Sequence, residues 1–297
     1  MFILFYLFIA TLCIGILLAF FYFIIYSIYI LFFLPTKYEF HFYNFIGNWV
    51  KRFFPNLAKF FPVHFVNKAK LDVDGEKYLY VFIPHGLVTV SQVVHTLDPH
   101  SPLKELRMHN AAHSFFFHIP IIRELVQLAG FFPVSRDHID AFLQDSSISI
   151  TVGGVREIAY ALDASKDDKL FIKKRRGFIR AALDNSVDIV PIYCWNEQQL
   201  VTYEPSYFIE GVNELVGKLL GRSVNLNVLQ FLRPSKLRRL CDAVVGRIVG
   251  TKLYVGEPVR ISGMGVDEAH ALYIKEVKRL FAFVAEAEGS DKELVIE

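Results

Sequence analysis

A chain of 297 residues with a formal net charge of +2 has no global field to recruit nucleic acid, and 53% hydrophobic with 15% aromatic residues is too apolar for an ordinary soluble enzyme. The length suffices for one large domain with a substantial core. The three cysteines, Cys13, Cys194 and Cys241, have neither metal-knuckle nor disulfide-framework spacing, which points to a reducing, cytosol-facing domain.

The apolar excess sits at the start, where residues 1–34 contain no charged side chain. A hydrocarbon core about 30 Å thick needs roughly 20 helical residues. The run is longer than one span and shorter than two, and it holds a single glycine, Gly15. One long tilted helix and a re-entrant hairpin bending near Gly15 both fit. A cleaved signal peptide does not, because a basic leader and a small-residue cleavage site are both missing. The expectation is a retained membrane anchor over 1–34. Residues 35–70 follow, with Lys37, Lys51, Arg52, Lys59, Lys68 and Lys70 against Glu39 alone, interleaved with aromatics such as Trp49, Phe53 and Phe60. That mixture suits a segment lying among lipid headgroups, and its positive charge places the main domain, 71–297, on the cytosolic side.

Within that domain short apolar runs alternate with amphipathic stretches. Strands are expected over 78–83, 147–152, 170–172, 187–193 and 252–255. Helices are expected over 87–96, from Gly154 through Leu162, over 177–183 and over 267–288, the last capped by Asp267. This is an α/β fold, a sheet flanked by helices. Residues 203–250 are irregular and end in a basic group, which suits a second membrane-contacting insertion.

Four segments carry polar chemistry. In Ile83-Pro84-His85-Gly86 a strand ends so that His85 projects from its carboxyl end, where α/β folds keep their sites and an imidazole can take a proton from an alcohol. Pro84 ends the ladder, and Gly86 allows close approach of a substrate. Gly153-Gly154-Val155-Arg156-Glu157 turns a strand into a helix start, where free amides can bind an anion or oxyanion and an acid is favoured by the dipole. Lys173-Lys174-Arg175-Arg176, leading into Gly177-Phe178, suits phosphates and equally a solvated or lipid-facing loop. In Pro133-Val134-Ser135-Arg136-Asp137, Arg136 can hold an anion or pair locally with Asp137.

Together these segments resemble the type-2 diacylglycerol acyltransferases and their monoacylglycerol and wax-ester relatives. That family shows His-Pro-His-Gly, Pro-Val-Asn-Arg-Asp, Gly-Gly-x-x-Glu, Arg-Lys-Gly-Phe and a Val-Pro-x-Tyr strand. Here they stand as IPHG (83–86), PVSRD (133–137), GGVRE (153–157), RRGF (175–178) and IVPIY (189–193), followed by VGEP (255–258). The family's first histidine is Ile83, so only His85 carries over. The resemblance implies an acyltransferase-like sheet and transfer of a fatty acyl group from acyl-CoA to a lipid alcohol. Diacylglycerol is the first acceptor considered, ahead of monoacylglycerol, wax alcohol and sterol. It implies His85 as catalytic base with Glu157 orienting the ring. The substrate contacts implied are Pro84, Gly86, Arg136, Asp137, Gly153, Gly154, Lys173, Lys174, Arg175, Arg176, Gly177 and Phe178. Arg136 or the amides near Gly153 and Gly154 would stabilise the oxyanion, and 173–176 would hold coenzyme A phosphates. No metal and no cofactor beyond the acyl-CoA co-substrate is implied. The partners are acyl-CoA, the acceptor and membrane lipids; the location is the endoplasmic reticulum membrane, with lipid droplets as a second. A metal enzyme built on His109 and His113 (i, i+4) and on His118 would need further histidine boxes and spans. A lipid-binding or tethering protein without turnover is the non-enzyme rival.

Overall fold

A computed structural model describes residues 11, 14–26, 28, 47, 58–86, 89–119, 122–154, 157, 167–200 and 250–297. Most of 1–34 and 35–57, the helix after Gly154 and the insertion 203–249 lie outside them.

The strands are β1 (Val63–Phe65), β2 (Tyr78–Ile83), β3 (Met108–Ala112), β4 (Phe131–Pro133), β5 (Ser147–Thr151), β6 (Asp168–Leu170), β7 (Asp188–Trp195), β8 (Lys252–Val255) and β9 (Leu294–Ile296). The described helices of the domain are α1 (Val90–Leu97), α2 (Ile122–Leu128), α3 (Arg136–Asp145), α4 (Gly177–Asp184), α5 (Glu197–Leu200) and α6 (Val266–Ala287). Seven strands form one sheet in the order β1-β8-β7-β2-β5-β3-β4, and β6 pairs with β9 in a second, two-stranded sheet. Within the large sheet only the β7–β8 pair is antiparallel.

The sequence YLYVFI makes β2 central because every one of its side chains is apolar or aromatic, as a strand covered on both faces requires. Leu79, Val81 and Ile83 pack against Ile139 and Leu143 of α3, Ile179 of α4 and Tyr273 and Val277 of α6. Tyr78, Tyr80 and Phe82 pack the other way, against Val90 and Val94 of α1. Full burial of such a side chain contributes about 1.5–3 kcal/mol, so this one strand anchors both layers. Helix α6 buries Ala269, Tyr273, Val277, Leu280 and Val284, a spacing near 3.6 that lays one stripe on the sheet. Its N-cap is Gly265, not Asp267; Asp267 sits in the first turn, where a negative charge complements the helix dipole.

The sheet begins earlier than sequence composition suggests. Val63–Phe65, within the stretch expected at the membrane interface, pairs in parallel with Leu253–Val255. The strand expected over 170–172 is displaced to Asp168–Leu170. His109 and His113 do not share a helix face, because Met108–Ala112 is a strand and His113 caps the following 3-10 turn, Ser114–His118. Among the described residues no group of three or more metal-binding side chains converges.

Residues 14–26 are helical, and Ile14, Leu18, Phe21 and Ile25 are all exposed. Among the described residues no helix is long and apolar enough to cross a membrane.

Candidate active site

The parallel strands β2, β5, β3 and β4 deliver their carboxyl ends to one edge of the sheet. At its centre β2 stops at Pro84, preceded by a cis peptide, and His85 follows. Next to it β5 runs through Val152 into Gly153 and Gly154, both at positive φ (112° and 67°). Those angles turn the chain back beneath the histidine, and glycine adopts them without the Cβ penalty.

The imidazole of His85 is enclosed, with 6% of the residue exposed. Its Nδ1 lies 2.7 Å from Gly86 O and its Nε2 lies 3.1 Å from Gly154 O. Burial holds its pKa below the usual imidazole range, and the Arg175 charge adds to this against the pull of the two carbonyls. A neutral ring has one N–H to donate. In the tautomer with the proton on Nδ1, the shorter contact is the hydrogen bond to Gly86 O and Nε2 carries the lone pair.

Glu157 reaches the histidine, but not its ring. Its Oε1 accepts the backbone N–H of His85 (2.9 Å) and its Oε2 accepts the N–H of Phe171 (3.2 Å). The orienting role expected for this carboxylate falls instead to the Gly86 carbonyl, and Glu157 positions the histidine backbone. Burial pushes its carboxyl up to about 8, so near neutral pH it is a proton-bearing group, not an anion facing an imidazolium.

The sign of the resulting pH dependence follows from that value. With a folded pKa above the ordinary 4.5, the folded chain keeps a proton that the unfolded chain has released. The Glu157 contribution to stability is complete below about pH 4.5 and declines as pH rises to about 8. Both of its oxygens face N–H donors, so in Glu157→Gln the amide nitrogen must oppose one of them. This substitution is expected to cost about 1–3 kcal/mol and to remove that pH slope. Urea denaturation of the detergent-solubilised chain at pH 5 and pH 8.5 measures both effects.

Of the basic run, Arg175 belongs to the site. Its Nη2 donates to Gly153 O at 3.1 Å, and its guanidinium lies over the Phe171 ring at 5.4 Å. Arg176 turns away, to Asp267 (2.6 Å) and the Lys173 carbonyl. Lys173 and Lys174 are exposed. Gly177 opens α4, whereas Phe178 is buried edge-on to Tyr273 and faces the core, not a ligand. The segment carrying Phe171 and Arg175 is braced by β9, with Glu297 N donating to Leu170 O (2.9 Å) and Lys173 N to Glu297 O (2.8 Å).

Arg136 does not join this group. Its guanidinium is held by Asp140 and Asp184, each at 2.6 Å, and links α3 to α4. Neither an oxyanion role nor a local pair with Asp137 fits that arrangement. Asp137 occupies the first turn of α3, capped by Ser135, so PVSRD serves as a helix start. Ile83 is fully buried in the core beside β7, which explains why an apolar residue is tolerated where the resembled family has histidine.

Sequence reasoning missed Glu197. Its buried carboxyl accepts Ser91 N (3.3 Å) at the start of α1, and burial raises it to about 7. It fixes the helix that leaves the His85 loop. A polar Asn196-Glu197 pair directly after a buried strand was the available signal.

The model of the diacylglycerol acyltransferase family matches residues 12–297. The chain belongs to that family. Its relatives include 2-acylglycerol O-acyltransferase 1 of Bos taurus, 25% identical over 260 residues that cover 80% of this chain and 72% of the relative. Diacylglycerol O-acyltransferase 2 of Xenopus tropicalis is 25% identical over 254 residues, covering 80% and 68%. Acyl-CoA wax alcohol acyltransferase 2 of Mus musculus is 26% identical over 252 residues, covering 77% and 72%. Among solved structures, the 1-acyl-sn-glycerophosphate (LPA) acyltransferase PlsC from Thermotoga maritima aligns with TM-score 0.43 and 13% identity over 91% of this chain and 96% of that one. For this family member His85, Gly153, Gly154, Glu157 and Arg175 converge on one point, whereas Arg136 does not.

Proposed function

We propose that this family member is an acyl-CoA-dependent O-acyltransferase that esterifies a lipid alcohol, with diacylglycerol as its acceptor and triacylglycerol as its product. The observation that carries the reading is the His85 ring, set between the carbonyls of Gly86 and Gly154 at the centre of the sheet edge. Nδ1–H bonded to Gly86 O leaves Nε2 as the base. The acceptor hydroxyl gives its proton to Nε2 as its oxygen attacks the thioester carbonyl; the tetrahedral intermediate then collapses with breakage of the C–S bond, and the departing coenzyme A thiolate takes that proton from Nε2, which restores the neutral ring. While Nε2 carries the proton, the nearby Gly86 and Gly154 carbonyl dipoles stabilise the imidazolium in place of a carboxylate. Arg175 supplies positive charge beside the reacting centre, and the exposed Lys173 and Lys174 suit coenzyme A phosphates.

Residues 1–34 anchor the chain in the endoplasmic reticulum membrane in this reading, with the domain toward the cytosol. The uncharged run, and the exposed apolar side chains of the helical residues 14–26, support the anchor. Microsomes containing the full chain, incubated with radiolabelled acyl-CoA and a panel of diacylglycerol, monoacylglycerol, long-chain alcohol and sterol, test the reaction. Labelled triacylglycerol is the expected main product. Acceptor binding without any labelled ester from the whole panel overturns the enzymatic reading in favour of a lipid-binding protein.

A further inference from the structure

Helix α2 is inverted over part of its surface, although Val126 packs on the cluster of Phe117, Ala129 and Phe131. A helix on the surface of a water-soluble domain turns its apolar stripe inward and its polar side chains outward. In Ile122–Leu128 the buried residues are Arg123 and Gln127, at 9% and 1% exposure, while Ile122 and Leu125 stand out at 38% and 59%. Gln127 Oε1 has no hydrogen-bond partner among the described residues, so the helix is not turned inward to satisfy that group. The preceding 3-10 turn exposes Phe115 at 47%. Such a reversal disfavours the folded state in water and becomes favourable where the outer medium is hydrocarbon.

The position of this face indicates what covers it. Tyr26, at the end of the helical residues 14–26, hydrogen-bonds Glu124 of α2, so the two apolar surfaces adjoin. The side chains of Leu18, Phe21 and Ile25 on that run are exposed in their turn. The turn Ser114–His118 leaves the carboxyl end of β3, on the same sheet edge as His85, and Ser114 Oγ bonds Val134 O there (2.8 Å).

We infer that Phe115, Ile122 and Leu125 form a second membrane-contact surface, seated in the acyl region of the bilayer beside the anchor. This places the His85 edge of the sheet at the membrane, where a lipid acceptor resides. The inference rests on the proposed anchor, and its test separates the two. The full chain carries two tryptophans, whose emission is subtracted using the native protein. Leu125→Trp, Phe21→Trp and, as an exposed control on α6, Lys278→Trp are reconstituted in phosphatidylcholine vesicles with ordinary or brominated acyl chains. The tryptophans at 125 and 21 are expected to lose most of their added emission to the brominated lipid, and that at 278 to keep it. Quenching at 21 with a residue-125 signal open to aqueous acrylamide overturns the second surface and leaves the anchor. Quenching at 21 with a residue-125 signal reached by neither quencher assigns the α2 face to protein and overturns it too. No lipid quenching at 21 overturns the anchor and this inference together.

Discussion

His85→Ala is expected to lower acyl transfer by about 10²–10⁴-fold, the usual contribution of a positioned general base, with protein level and membrane association unchanged. Removing the ring also removes two contacts to backbone carbonyls, so a second variant is needed to separate chemistry from packing. His85→Gln keeps an N–H donor for Gly86 O but has no basic nitrogen, and its activity should fall as far. Retained ester synthesis in either variant would falsify the assignment of the base. The pH profile adds an independent readout. The base must be neutral to act, and burial together with the Arg175 charge lowers its pKa. The acid limb of kcat/KM should therefore lie below pH 6.5, and Arg175→Gln should move that limb upward, because a positive charge near the ring has been withdrawn.

What sequence reveals of this protein depends on how local each cause is. β2 is legible because six consecutive apolar residues can only be satisfied by burial on both faces, and α6 because its apolar stripe repeats within one helix. β3, by contrast, reads Met-His-Asn-Ala-Ala and lies between β5 and the edge strand β4. Its strand character comes from pairing with Ser147–Ser149, nearly forty residues on, and not from its own composition. β1 is hidden in a basic, aromatic stretch because the edge of a sheet and a lipid interface recruit similar side chains.

The site divides in the same way. His85 is legible because a strand end, a proline and a glycine stand together around it. The function of Glu157 is not, since what its carboxyl meets depends on the turn at Gly153 and on the path of Phe171, both set by tertiary structure. Arg136 shows the opposite error. In sequence it is a cation in a loop, yet one of its partners is Asp184, 48 residues away, and that pair makes it a strut. Family resemblance located the residues; geometry assigned their work.

Gly153→Ala should be among the most damaging single-methyl changes at the described glycines. A Cβ at this position would stand 1.9 Å from Glu157 Oε2 and 2.5 Å from its carboxyl carbon. Those are not the far atoms of a free side chain: the carboxyl is held on one oxygen by His85 N and on the other by Phe171 N. The backbone at 153 also sits at φ 112°, a conformation that L side chains rarely adopt. Forcing the methyl in must either open the turn or expel the carboxyl, and expulsion strands two buried amides at about 1–3 kcal/mol each. Strain at the unusual φ adds about 1–3 kcal/mol. The sum is a large share of the roughly 5–15 kcal/mol that holds a typical domain together. The expected result is a chain that fails to accumulate in membranes or is readily cleaved by protease, with no measurable ester synthesis. The neighbouring glycine is the internal comparison. A Cβ at Gly154 would meet only Arg175, with Nη2 at 3.0 Å, the end of a flexible side chain, so Gly154→Ala should be milder in stability while still disturbing Arg175. A Gly153→Ala protein as stable and active as native would show that Glu157 does not hold the histidine backbone from below, and His85 would then owe its position to some other support.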